Sequence, residues 1–546
     1  MKTPLDWFEN WEDQIPDRVF LRQPVEGNWH EFSWKKAGDE FRKMANAISS
    51  LHLDPGSRIG IFSKNCAHWM LADLAIWMSG HVSVPIFPTY KAETVKYILE
   101  NAEIKLLFIG KIDHWDHFKD FIPKDIRLLS FPYWEHEGCF SWEEFVMGKD
   151  SQAVVYQKPT EMDVATIIYS SGTSGVPKGV VHSFRSISFV GLNGAKILNF
   201  NRQTELLSYL PLCHVVERTV VELCGLCAGV KISFVESLDT FSKNLKEVKP
   251  TLFLAVPRIW NKFQSGILEK LSQKKLDKLL SIPVVSFLVK RKIRKTLGLL
   301  RAKIILTGGA PISLGLLEWF KRLGIIIREG YGLTENMGYS HFGIQKKIKM
   351  GTVGQAVTGV EAKISEQGEI LVKSNANMVG YYKDPNKTKE TLVDGWLHTG
   401  DRGEIDSDGY LKITGRIKEA FKTTKGKYIV PTPIEMRFAK NPHIENICVL
   451  GQGLPSPIAL AVLSPEAKNL PRDNLVMEFG ELLDQVNSQS ESYEKIPHMI
   501  VLPDEWSIEN SMITPTLKLK RNKIEEKYGP RFPLWFGQVE KIHFEP

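Results

Sequence analysis

The stretch Tyr169-Ser-Ser-Gly-Thr-Ser-Gly-Val-Pro-Lys-Gly-Val-Val-His-Ser183 decides how the rest of the chain is read. Ahead of it, Val164-Ala-Thr-Ile-Ile-Tyr169 has the length and β-branched character of a buried strand, and it empties into Ser170, Ser171, Gly172, Thr173, Ser174 and Gly175. Such a loop suits an anion. Glycines let the backbone approach a phosphate closely and turn successive N–H groups toward it, hydroxyls add donors, and Lys178 supplies a mobile positive charge. The spacing is not GxxxxGK[ST], which a helix follows at once. Here Gly179-Val-Val-His182 reads as a second strand, so the loop is expected to join two strands, with a helix beginning near Ser183. A plain surface turn is the alternative, but so many hydroxyls and glycines before Pro-Lys-Gly favour a phosphate site.

Outward from the loop, strand-like and helix-like runs alternate. Arg58-Ile-Gly-Ile-Phe62 precedes a helical run over 68–79, Val82-Ser-Val-Pro-Ile86 precedes another over 92–101, and Lys105-Leu-Leu-Phe-Ile109 follows. This rhythm predicts βαβ units on a largely parallel sheet. Around 395–433 the composition turns polar, charged and glycine-rich, as at a domain boundary. The expected fold is therefore α/β: a large N-terminal domain (1–417) of βα-layered sheets with subdomains, and a small mobile α+β C-terminal domain (418–546).

The bulk numbers narrow the class. A 546-residue chain with 43% hydrophobic and 24% charged residues is an ordinary globular protein too long for one core. No stretch approaches the roughly 18 apolar residues of a membrane span, and the start, MKTPLDWFENWEDQIPD, lacks an apolar targeting core, so a cytoplasmic location is expected. Six scattered cysteines make no disulfide framework, and the single Cys224-x-x-Cys227 reads as buried free thiols. The net charge of +7 is unevenly placed: 262–303 holds twelve Lys or Arg against Glu269 and Asp277. Because Ile282-Pro-Val-Val-Ser-Phe-Leu-Val289 sits among those cations, the segment reads either as a peripheral membrane contact, at the inner face of a membrane, or as a solvated basic helix face. No nucleic-acid-binding motif is present.

The loop over 170–178 resembles the phosphate signature of the adenylate-forming superfamily, which includes acyl-CoA synthetases, luciferases and the adenylation domains of peptide synthetases. Further motifs carry the resemblance in the same order. Tyr209-Leu-Pro-Leu-Cys-His-Val-Val-Glu-Arg218 resembles a segment of long-chain acyl-CoA synthetases in which a histidine or aromatic side chain lies beside the carboxylate substrate, a place taken here by His214. The run over 219–230, with Glu222 its only charge, is either an acyl-pocket wall or a plain core helix. Phe253-Leu-Ala-Val-Pro-Arg-Ile-Trp260 is similar to the VPRxW of that subfamily. Leu306-Thr-Gly-Gly-Ala-Pro311 and Glu329-Gly-Tyr-Gly-Leu-Thr-Glu335 are strands ending in glycines, able to approach a flat ligand closely.

The resemblance implies roles. Gly308, Gly309 and Ala310 flank adenine, Tyr331 stacks on it beside Gly332, and Thr334 and Glu335 hold phosphate and Mg²⁺, with Thr173 as a further metal ligand. Asp401 in Gly395-Trp-Leu-His-Thr-Gly-Asp401 takes the ribose diol, and Arg416 is a second ribose or phosphate contact. Lys418 falls at the hinge, and Gly426 leaves room for the pantetheine arm of coenzyme A. In Ile513-Thr-Pro-Thr-Leu-Lys-Leu-Lys-Arg521 the superfamily's usual Gly-Lys pair is replaced by Leu517-Lys518, and Lys518 is favoured over Lys520 as the catalytic lysine by alignment through Arg521. His214, Thr334, Glu335 and Lys518 are thus the expected catalytic residues. The implied reaction is AMP-forming: a medium- to long-chain fatty acid, ATP and Mg²⁺ give acyl-AMP, and coenzyme A then takes the acyl group by domain alternation. An acyl-carrier protein as acceptor, or an inactive acyl- or nucleotide-binding protein, are the competing readings. The sequence leaves acyl chain length and oligomeric state open.

Overall fold

A computed structural model describes residues 2–151, 158–170, 176–343, 348–514 and 516–546. The architecture is mixed α/β, with a large N-terminal and a smaller C-terminal domain.

The apolar runs that mark the N-terminal part form an eight-stranded sheet. Val164–Ser170, Val82–Ile86, Arg58–Phe62, Leu106–Ile109, Arg127–Ser130 and Phe140–Ser141 follow one another in parallel, and Lys178–Ser183 and then Gly380–Tyr381 extend the other edge antiparallel. Strands buried on both faces need continuous apolar sequence, which these have. Helix Ala67–Met78 covers the sheet and is buried throughout, matching its all-round apolar sequence. Its polar residues are His68 and Asp73, and Asp73 is paired with Arg218, 145 positions away.

A second sheet sets Leu252–Ala255, Ile304–Thr307 and Arg328–Tyr331 in parallel, then adds His341–Phe342 and Gln355–Ala356 antiparallel. A third joins Glu205–Ser208, Lys231–Phe234, Val19–Val25 and Asn28–Ser33. An antiparallel sheet of Val360–Ile364, Glu369–Ser374, Trp396–Ile405 and Leu411–Arg416 leads toward the C-terminal part. There, Ile444–Leu450, Ile458–Leu463, Met499–Leu502 and Ile542–Phe544 form a separate sheet with its own core of Phe438, Val449, Ala461, Phe479 and Val501. This is the expected small α+β unit.

The local expectations around the loop hold. Val164–Ser170 and Lys178–Ser183 are strands, and Ser183 caps helix Phe184–Ile197 by accepting a bond from the Ser186 N–H. All six cysteines are free, Cys224 buried and Cys227 half-buried. Among the described residues no helix is long and apolar enough to cross a membrane.

Candidate active site

The site begins at the hairpin, where Ser170 opposes Lys178 across the antiparallel pair. Ser171, Gly172, Thr173, Ser174 and Gly175, expected to hold phosphate and in part metal, lie outside the described residues. Strand Gly380–Tyr381 pairs with Lys178–Ser183 and so brings Tyr381 to Lys178, whose Nζ stands 5.7 Å from the ring centroid. The Tyr381 hydroxyl donates to Glu335 Oε1 at 2.8 Å, and the Met378 N–H donates to the Glu335 carbonyl at 2.7 Å. Burial first, and Glu335 second, push the Tyr381 hydroxyl pKa up, which keeps it a donor.

Thr334 is held from the other side. His182 Nε2 is 2.8 Å from the Thr334 carbonyl, and because a carbonyl only accepts, Nε2 carries the proton. Burial lowers the His182 pKa to about 4, leaving the ring neutral. The turn Thr334–Asn336 is thus pinned to the strand that leaves the phosphate loop.

Asp401 and Arg416 are opposite residues of an antiparallel pair. Tyr331 Oη donates to Asp401 Oδ2 at 2.7 Å, and Arg416 Nε donates to Oδ1 at 3.0 Å. Each carboxylate oxygen retains a lone pair for another donor. Burial works against the Arg416 guanidinium, but Asp401, Glu419, Tyr331 and Glu335 together outweigh it and raise its pKa.

Lys518 joins these groups. Its side chain is exposed, and its charged neighbours are Arg416, Asp401, Glu335 and Glu419. Its pKa is lowered by desolvation first and Arg416 second, against the opposing pull of Asp401, Glu335 and Glu419. The same ammonium acts on His214, whose pKa burial and Lys518 bring down to about 4. Lys520 answers instead to Lys91 and Lys523. Of the two lysines left open by the sequence, Lys518 is the one that faces the cleft.

The loop that carries it is tightly built. The Lys518 N–H donates to Thr514 Oγ1 at 3.0 Å, and the Lys518 carbonyl accepts from the Thr514 N–H at 2.7 Å. Leu517 sits at φ 61, where a leucine costs about 1–2 kcal/mol and a glycine costs nothing. Buried Arg521 anchors the loop's far end, donating to the Val449 carbonyl at 2.7 Å and to Glu435 Oε2 at 3.0 Å.

Beside the cleft, Gly308, Gly309, Tyr331 and Gly332 line a cavity of ≈ 30 Å³ with Val216, Thr219, Val220, Leu254, Leu306 and Phe342. Ala310 follows at the exposed strand exit. That is room for a water or two, so any larger group must displace the apolar side chains. At Gly332 a Cβ would lie 2.3 Å from the Gly338 carbonyl carbon, so only glycine allows the two backbones this approach. Thr219 and Val220 belong to a π-helical turn, Arg218–Leu223, a departure from the plain helix geometry.

Two expected residues stand apart from this convergence. Lys418 is exposed on the short turn Ile417–Glu419 near Glu390, and Gly426 occupies a hairpin turn at φ +78 with open space around it. Conversely, Tyr381, His182 and Glu419 join the site without a sequence signal of their own, and Tyr381 and His182 reach Glu335 and Thr334 across 46 and 152 positions. Among the described residues no three metal-ligating side chains cluster. A single cleft carboxylate, Glu335, nonetheless suits Mg²⁺, which keeps several waters and takes oxygen ligands from one or two carboxylates and the substrate phosphates.

Comparison with known proteins agrees with this geometry. A family model described as AMP-binding enzyme matches residues 8–382, and one described as AMP-binding enzyme C-terminal domain matches 420–531. The chain is 28% identical to the long-chain-fatty-acid–CoA ligase FadD15 of Mycobacterium bovis, over 96% of this chain and 95% of that protein. It is 29% identical to long chain acyl-CoA synthetase 2 of Arabidopsis thaliana, over 100% of this chain and 92% of that one. Its fold is that of the anthranilate CoA ligase AuaEII solved with anthranoyl-AMP (TM-score 0.81, 19% identity, covering 97% and 98% of the two chains). It is equally that of the adenylation domain of a carboxylate reductase from Mycobacterium chelonae (TM-score 0.83, 20% identity, 98% and 91%).

Proposed function

Because the chain belongs to the AMP-binding enzyme family, we propose that it converts a medium- to long-chain fatty acid to its acyl-CoA, with ATP cleaved to AMP and pyrophosphate. The observation that carries this reading is one ammonium, Lys518, sharing a cleft with His214, Arg416, Asp401 and Glu335. The long-chain acyl-CoA synthetase names of the curated relatives above support the choice of acid.

A carboxylate is a poor electrophile because oxide would have to leave. In the first half-reaction it therefore attacks the α-phosphorus of ATP, forming an acyl–O–P bond as the bond to pyrophosphate breaks. The 170–178 loop and Lys178 hold the β- and γ-phosphates, and Lys518 offsets the charge that grows between the carboxylate and the α-phosphate. His214, neutral at physiological pH, sits beside the carboxylate without adding a second cation. Asp401 takes the ribose diol, oriented by Tyr331 and Arg416. Adenine lies between Tyr331 and the Gly308, Gly309 and Ala310 edge, next to Gly332. Glu335, with Thr173, would hold magnesium, which would supply charge neutralisation to the phosphates.

In the second half-reaction the domain 418–546 turns about Lys418, withdrawing Lys518 and bringing in the hairpin that carries Gly426. The coenzyme A thiolate attacks the acyl carbonyl, a thioester forms and AMP leaves. The exposed pair Arg258 with Glu445, which links the large domain to the small one, is worth about 1 kcal/mol or less and opposes such a turn weakly.

The test is pyrophosphate release from ATP with carboxylic acids of increasing length, followed by thioester formation with coenzyme A or an acyl-carrier protein. Release with no acid in the series would overturn the reading, and transfer to carrier protein alone would replace coenzyme A as acceptor.

The metal's place has its own check. Glu335→Ala is expected to raise strongly the magnesium needed for half-maximal release, and Tyr381→Phe, which frees the carboxylate, about tenfold. An unchanged titration in Glu335→Ala would remove that residue from the metal site.

The segment 262–303 is proposed as a peripheral contact with an anionic lipid surface. Val284, Phe287 and Leu288, on helix Pro283–Thr296, are 74%, 63% and 58% exposed, and Arg291, Lys292 and Lys295 are exposed further along the helix. Apolar anchors backed by cations match a bilayer surface better than water. Phe287→Ser with Leu288→Ser is expected to abolish sedimentation with phosphatidylglycerol vesicles at unchanged folding, and equal sedimentation would make this a solvated helix face.

A further inference from the structure

At the opposite edge of the second sheet from the nucleotide cleft lies an open pocket of ≈ 700 Å³. The cleft residues Gly308 and Gly332 follow the carboxyl ends of strands Ile304–Thr307 and Arg328–Tyr331. Lys303 and Arg328 stand at the amino ends of those same strands, about 13–17 Å away along the strand direction. Arg294, from the last turn of helix Pro283–Thr296, and Arg301 complete a ring of four cations around the pocket.

Their charges are poorly compensated. Arg301 donates to Glu205 Oε2 at 2.9 Å, but that carboxylate also serves Lys231 through its other oxygen at 2.8 Å. Arg294 spends one amino group on the carbonyls of Leu299 and Ala302, at 3.3 and 2.9 Å, and its Nε is buried without a partner. Among the described residues, Arg294, Lys303 and Arg328 make no ion pair. Desolvation lowers the Arg328 pKa. Like charges held together on a partly desolvated wall repel, and an anion entering the pocket removes that cost. Exposed Leu300 and Ile326 beside the cations offer the carbon part of such a ligand an apolar wall.

We infer that this pocket is a second ligand site, separate from the nucleotide cleft, that takes a phosphate-bearing anion with an organic substituent. Guanidinium forks suit a phosphate group bidentately, and Lys303 adds a point charge. Two sources share this chemistry, a phospholipid headgroup and a soluble phosphate ester, and the membrane contact proposed for the same helix bears only on the first.

The test uses the full chain, a Lys303→Gln, Arg328→Gln double variant, and a Lys275→Gln, Lys278→Gln control that removes equal charge from helix Gln273–Leu280, which does not line the pocket. Inorganic phosphate binding by calorimetry is expected to weaken about tenfold or more in the pocket variant and to persist in the control, with pyrophosphate release unchanged in both. Phosphatidic acid vesicles then separate the sources. Flotation impaired in the pocket variant beyond the control assigns a headgroup, whereas equal flotation with phosphate binding lost assigns a soluble ester. Phosphate binding that is identical in all three proteins, or weakened equally in pocket variant and control, overturns the site. Should the double variant not fold, Lys303→Gln alone, an exposed side chain, answers the same question.

Discussion

Replacing Lys518 by alanine is expected to slow pyrophosphate release from ATP and fatty acid by about 10²–10³-fold while leaving thioester formation from supplied acyl-AMP within about twofold. The split follows from geometry. Lys518 is the cation that acts on His214 and is in turn acted on by Arg416, Asp401 and Glu335, so its loss removes positive charge from the place where carboxylate and α-phosphate are proposed to meet. The second half-reaction has no such encounter of anions. Lys520→Ala is the matched control: its charged neighbours are Lys91 and Lys523, and its release rate is expected to stay near that of the parent. Comparable losses in both variants, or a loss in both half-reactions, would show that the loop's structure rather than the Lys518 charge is being measured.

The largest effect on stability is expected at Arg218, whose side chain is fully buried between helix Ala67–Met78 and the eight-stranded sheet. It donates to Asp73, to Glu222 Oε2 at 3.1 Å, to Thr166 Oγ1 at 2.7 Å and to Ser83 Oγ at 2.9 Å. Two buried carboxylates thus share one guanidinium. Burial, and then Asp73, push the Glu222 pKa well up, so Glu222 is the protonated member. Arg218→Met leaves Asp73 charged and unpaired in the core and is expected to cost about 3–5 kcal/mol in urea unfolding. Glu222→Gln, which keeps a neutral donor in the same place, is expected to cost about 1 kcal/mol or less. A large loss in Glu222→Gln would mean that both carboxylates are ionised. The cluster bears on function because the turn Arg218–Leu223 presents Thr219 and Val220 to the cavity beside the cleft.

Local expectations held where one physical signal dominated. The strand before the phosphate loop was readable because a strand covered on both faces must be apolar along its whole length, and helix Phe184–Ile197 because Ser183 offers an oxygen to its first unpaired N–H groups. The small α+β unit was readable from the composition change before it. The run over 219–230 resisted, since an apolar helix that walls a cavity and one that fills a core have the same sequence. Its π turn begins at Arg218, which reaches Asp73 across 145 positions. Tyr381 gave no sign either: the hydroxyl that holds Glu335 comes from an edge strand 46 positions later, set beside Lys178 by sheet pairing.

By itself, then, the sequence determined the α/β class, the order of the motifs and the residue types proposed to meet phosphate, ribose and carboxylate, because apolar periodicity, turn chemistry and ligand chemistry are properties of short segments. Only the tertiary structure decided which lysine lies among Arg416, Asp401 and Glu335, which tyrosine holds Glu335 and which buried glutamate has its pKa pushed well up. Each of those depends on distances between side chains remote in sequence, and Coulomb forces and desolvation act through space, not along the chain.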